Sequence, residues 1–300
     1  MRTSSHILRI RIGLELSLLS NKISVLWNRI PIIIQALILM LSVTMIGTLS
    51  WSLLLILTPF PWTILIMGGI LFGFVLFFSG RWGHKATQEF RWTNFRLVKL
   101  PSSVWLWSIV AIILFVVISQ AMLVVTFRLI PFPSELFTIY NLEGVPVWVA
   151  WPFVFMAAMV AGICEEIGFR GYGQVPLEKR YDQKLAIAFV SITFIIFHLN
   201  QAWLPPIFIH GLILSVFLGY LAYLSGSLIP VMIAHTSMDV FLFSYWWSDL
   251  LGTFIELPIY ITGIDISFIF WTSILIISTI LFLWTMQKLN VIRQQKRQKR

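Results

Sequence analysis

Apolar residues run along this chain in long blocks with short polar interruptions, and the block lengths carry the first prediction. No Lys, Arg, Asp or Glu occurs from 31 to 80 or from 185 to 238. At about 20 residues per crossing, each block can hold two membrane-spanning helices. Breaks at Pro59-Phe60-Pro61, at Asn200-Gln201-Ala202-Trp203 and at Ser225-Gly226 divide the blocks. The resulting spans fall near 32–58, 62–79, 103–126, 147 into the stretch at 165, 185–199, 204–224, 227–246 and 264–286. Ahead of them, Leu8, Ile10, Ile12, Leu14, Leu16 and Leu18 alternate with mostly polar residues, a period of two that fits a membrane-surface segment.

Composition fixes the class. The 300 residues are 59% hydrophobic and 11% charged, against about 25% charged in a soluble domain, and mean hydropathy is +0.91. The expected fold is all-α, a polytopic membrane helix bundle of about eight transmembrane helices. Its parts are a basic membrane-surface segment (1–30), the bundle (31–286, with its chemical core at about 147–246) and a basic cytoplasmic tail (287–300).

The net charge of +9 does not point to nucleic acid, because the Lys and Arg residues cluster at the chain ends and in two loops. That distribution fits topology determinants and contacts to anionic membrane lipid. Eight spans put both termini, the basic 81–99 region and the mixed-charge 165–184 region on the cytoplasmic side by the positive-inside rule, and the expected site is the cell membrane; seven or nine would export one very basic end. The lone cysteine, Cys164, excludes an intramolecular disulfide and any Cys-based metal cluster.

An ionisable side chain inside the membrane costs about 2.5–3.5 kcal/mol on insertion scales, so each is a functional candidate. Cys164-Glu165-Glu166-Ile167-Gly168-Phe169-Arg170 sets two carboxylates and an arginine in an apolar helix. Glu166 and Arg170 stand one turn apart with the acid first, a spacing that suits a structural ion pair and equally a catalytic role for Glu166 beside Glu165. Glu165 points about 100° away and is left for a base or ligand role. His198 follows Phe194 by one turn, and His235 precedes Asp239 by one turn. An acid and a histidine so spaced can bind a ligand, relay a proton or stabilise an oxyanion. His210 has no second group at helical spacing and reads as a hydrogen-bonded packing residue. Water activation by a buried carboxylate and an imidazole is one chemistry this set supports. A Zn²⁺ or other divalent metal held by Glu165, His198, His235 and Asp239 is another. Placing His198 near the outer end of its span leaves it far from Glu165 at the inner end of span four.

The series Glu165-Glu166-x-x-x-Arg170, Phe194-x-x-x-His198 and His235-x-x-x-Asp239 resembles the three-motif signature of the CPBP (Abi) intramembrane proteases, which include the type II CAAX prenyl endopeptidases. The resemblance covers about 160–245. It implies that Glu165 activates water with help from His198, and that His235 and Asp239 serve the oxyanion side. Glu166, Arg170 and Phe194 would shape and orient the site. The family's last motif commonly ends in Asn; Asp239 makes a metal-ligand or proton-sharing role easier and an amide-donor role less secure. The leading expectation is therefore an intramembrane endopeptidase acting on a membrane-embedded or membrane-associated peptide or protein. Two readings stay open beside it: a non-catalytic immunity or interaction protein of the same family, and a proton- or cation-coupled transporter.

Overall fold

The computed structural model describes residues 25–96, 98–130, 144–199, 205–245 and 256–298. Most of the expected surface segment, residues 1–24, lies outside the described residues, as do 131–143. The described chain is helical: α1 Ile32–Leu57, α2 Trp62–Phe78, α3 Gln88–Phe95, α4 Ser102–Leu129, α5 Val147–Arg180, α6 Gln183–Phe197, α7 Pro205–Ser225, α8 Ile229–Tyr245 and α9 Ile266–Gln298. Five of these (α1, α4, α5, α7 and α9) are long and apolar enough to cross a membrane, while α2, α6 and α8 are shorter apolar helices. Each expected span coincides with one of these eight.

Two boundaries differ from the sequence expectation. α9 runs unbroken through residue 298, so the described part of the basic tail is the last turns of a helix. The larger difference is α5, which does not give way to a loop at the Glu-Glu stretch but continues to Arg180. Tyr172, Gln174, Val175 and Leu177 beyond it are buried. The polar side chains there are satisfied inside the bundle: Gln174 Nε2 donates to Gly219 O (3.0 Å) and to Glu178 Oε1 (2.7 Å), and Tyr172 donates to Phe78 O (3.0 Å).

α5 is the axis of the bundle, packed by α1, α2, α3, α6 and α8, while α9 lies against α4 at the periphery. Its middle, Ala161–Glu165 and Ile167–Gly173, is wound wider than an α-helix, with i→i+5 hydrogen bonding. Such turns are uncommon and recur at functional sites. Glycine lets neighbours close on this stretch. A Cβ on Gly162 would come within 2.7 Å of Thr236 N on α8, and one on Gly168 within 2.8 Å of Met40 O on α1. Small residues permit this close backbone approach between membrane helices, and it buries Glu165 and Glu166 in the interior.

The basic 81–99 region is also folded. Arg91 is buried and donates to the carbonyls of Phe77, Trp82, His84 and Thr87, tying the end of α2 to α3.

Candidate active site

α5 carries both carboxylates near the middle of its length. From Glu165 to its end at Arg180 the helix runs on for about four turns, and α6, 15 residues long, returns over a comparable length. His198, the residue that ends α6, therefore arrives level with Glu165. The expected mismatch in depth came from ending span four too early, and the longer α5 removes it. His198 Nε2 lies 3.6 Å from Glu165 Oε2.

The two glutamates divide as the helical spacing predicts. Glu166 Oε1 accepts from Arg170 at 2.9 Å, with both side chains wholly buried. Arg170 also donates to Ser215 O (3.1 Å) and Ser215 Oγ (2.8 Å) on α7, and its guanidinium lies 4.7 Å from the centre of the Phe194 ring. The same Glu166 oxygen accepts from His235 Nδ1 at 2.7 Å, a contact between residues 69 apart in sequence.

Both histidines are anchored through Nδ1. In His198 it lies 2.7 Å from Phe194 O. A carbonyl can only accept, so Nδ1 carries the proton and Nε2 is turned to Glu165. In His235 Nδ1 faces Glu166, and Nε2 lies 3.5 Å from Asp239 Oδ2. Gaps of 3.5–3.6 Å are too long for a direct hydrogen bond and leave each pair able to engage a third group.

Glu165, Phe194, His198, His235 and Asp239 all line one cavity of about 320 Å³, whose remaining wall is largely apolar. Glu166 and Arg170 lie behind that wall and hold it. His210 makes the expected packing bond, Nε2 to Ser119 O at 3.2 Å, yet also lines the cavity. Ser215 and the α1 residues Thr48, Trp51 and Ser52 join the site with no signal in the sequence beyond their presence in apolar helices.

Among the described residues, no group of three or more His, Cys, Asp or Glu side chains is arranged to hold a metal ion. The four donors considered for a metal face one another as two pairs, Glu165 with His198 and His235 with Asp239. Each pair is spaced to share a third group between its two members.

Comparison with curated proteins and with solved structures found no match. A family model described as "Type II CAAX prenyl endopeptidase Rce1-like" matches residues 146–241. The matched segment runs from the start of α5 into α8 and holds all three motifs, and over it the chain is similar to the type II CAAX prenyl endopeptidase Rce1-like family.

Proposed function

We propose that this chain is an intramembrane endopeptidase in which Glu165 and His198 activate the water that cleaves a peptide bond. The observation that carries the reading is the convergence of Glu165, His198, His235 and Asp239 on one cavity inside the bundle. The family-level match supports a CAAX-type intramembrane protease.

Water held jointly by Glu165 and His198 Nε2 attacks the carbonyl carbon as Glu165 takes its proton. The carbonyl oxygen becomes an oxyanion on the His235–Asp239 side, where His235 Nε2 or the Asp239 carboxyl, when protonated, donates a hydrogen bond to it. Glu165 returns the proton to the departing nitrogen, the C–N bond breaks as the oxyanion collapses, and a carboxylic acid and an amine leave, the acid giving up its remaining water-derived proton on release. Glu166 fixes the ring of His235, and Arg170 fixes Glu166. The substrate is a membrane-embedded or membrane-associated peptide, and the cleavage site faces the cytoplasm of a cell membrane with both termini on that side. The apolar cavity wall favours an apolar segment next to the cleaved bond.

Purified protein should cleave a fluorogenic membrane peptide in detergent or bilayer. Glu165→Gln and His198→Ala should each slow cleavage by about 10²–10⁴-fold with melting unchanged. Cleavage within about threefold of wild type in either variant removes the general-base assignment.

A further inference from the structure

A second cavity, of about 380 Å³, opens where α5 closes into α6 and where the α7–α8 turn and the far end of α9 meet it. Arg96, Glu178, Lys179, Tyr223, Gly226 and Arg293 line it, and it shares no residue with the cavity of the active site. We propose that this cavity binds a phosphate group at the membrane surface, carried by the headgroup of an anionic phospholipid.

Charge points that way. Three cations and one carboxylate line the cavity. Glu178 is engaged through both oxygens, Oε2 by Arg96 at 2.5 Å and Oε1 by Gln174 at 2.7 Å. Cations thus outnumber the carboxylate in the lining three to one. Two of the cations are fixed in place. Arg96 also donates to Ala222 O at 3.1 Å, and the Arg293 guanidinium sits 3.7 Å from the centre of the Tyr223 ring. A guanidinium held in one orientation offers a planar fork suited to phosphate oxygens. Lys179 is exposed and adds a mobile ammonium at the rim.

Position favours a lipid source. The lining comes from the ends of apolar helices, the depth at which headgroups lie, and from the basic region that the positive-inside rule assigns to the anionic cytoplasmic leaflet. Gly226, at the α7–α8 turn, adopts φ +70° and has nothing within 4 Å of where a Cβ would stand, so the turn leaves the cavity open.

The test uses the full-length protein in detergent, titrated with dioleoylphosphatidylglycerol, with dioleoylphosphatidylcholine or with inorganic phosphate, and read by native mass spectrometry. Phosphatidylglycerol should bind in preference to phosphatidylcholine, and Lys179→Gln/Arg293→Gln should weaken it by roughly tenfold or more. Lys179→Gln alone, at an exposed side chain, should give a partial loss without disturbing the fold. Lys288→Gln/Lys296→Gln, which changes two charges of α9 outside the cavity, should leave binding unchanged. Displacement of the lipid by millimolar inorganic phosphate, with the same dependence on Lys179 and Arg293, would keep the phosphate site and move its source to a soluble ester. Equal binding of both lipids, or equal loss in the Lys288/Lys296 control, overturns the proposal.

Discussion

Replacing Arg170 by Met tests how the buried charges are held. The guanidinium and the Glu166 carboxylate each have no exposed side-chain surface, so neither can turn to water when its partner is lost. Among the described residues Glu166 Oε2 has no hydrogen-bond partner, and His235 Nδ1 would be the one described group left on Oε1. Breaking a buried ion pair from one side costs about 3–5 kcal/mol, because the remaining charge stays buried and uncompensated. Removing both charges, in Glu166→Gln/Arg170→Met, should cost much less. The amide oxygen of a Gln at 166 can still accept from His235, and the interaction energy between the two sites should be about 2 kcal/mol. Unfolding in detergent micelles, followed by tryptophan fluorescence across the four members of the cycle, measures this directly. The reasoning fails if Arg170→Met lies within about 1 kcal/mol of wild type, or if the double variant loses as much as the sum of the singles.

Gly162→Ala drives a methyl against the α8 backbone at Thr236 and should destabilise the protein by about 1–3 kcal/mol, whereas Gly69→Ala, with open space around it, should be tolerated in the same melting assay. At the opposite end of α4, the Arg128 guanidinium bonded to Asp265 holds that carboxyl down to about 2. A depressed carboxyl contributes stability that is fully present above its unfolded value near 4 and is lost as pH falls through its folded value. The melting difference between wild type and Asp265→Asn should thus be constant above about pH 5 and shrink between about pH 4 and 2; a difference that grows on acidification would contradict the Arg128 contact. Cleavage should survive exhaustive treatment with a chelator followed by metal analysis of the sample, and activity that falls with metal content and returns on adding Zn²⁺ would replace the glutamate route with a metal one.

The parts of the site visible in the sequence are those one helical turn apart. Glu166 with Arg170, Phe194 with His198 and His235 with Asp239 all meet as their spacing predicts, because a helix fixes i, i+4 neighbours whatever surrounds it. The bond from Glu166 to His235 and the bonds from Arg170 to Ser215 were not visible. They depend on the register of α5 against α7 and α8, which is set by close approaches such as that at Gly162 rather than by any local pattern. The end of α5 was misread for a different reason. Polarity after Arg170 resembles a loop, yet Tyr172 and Gln174 spend their hydrogen bonds on carbonyls and Glu178 inside the bundle. Polar content separates helix from loop only when the polar groups face water.

The Phe194 ring links the two carboxylates more closely than their own positions suggest. Arg170, which holds Glu166, lies over this ring at 4.7 Å, and the His198 imidazole, which faces Glu165, packs against it at 4.4 Å with the planes tilted by 30°. Phe169 packs edge-on at 5.1 Å and steadies its tilt. One aromatic plane is thus a common fulcrum for a cation that anchors and an imidazole that reacts. Any rotation of that plane, from a substitution at 169 or from substrate entering the cavity, moves both at once, so the geometry of the bond-breaking pair and the integrity of the buried salt bridge change together.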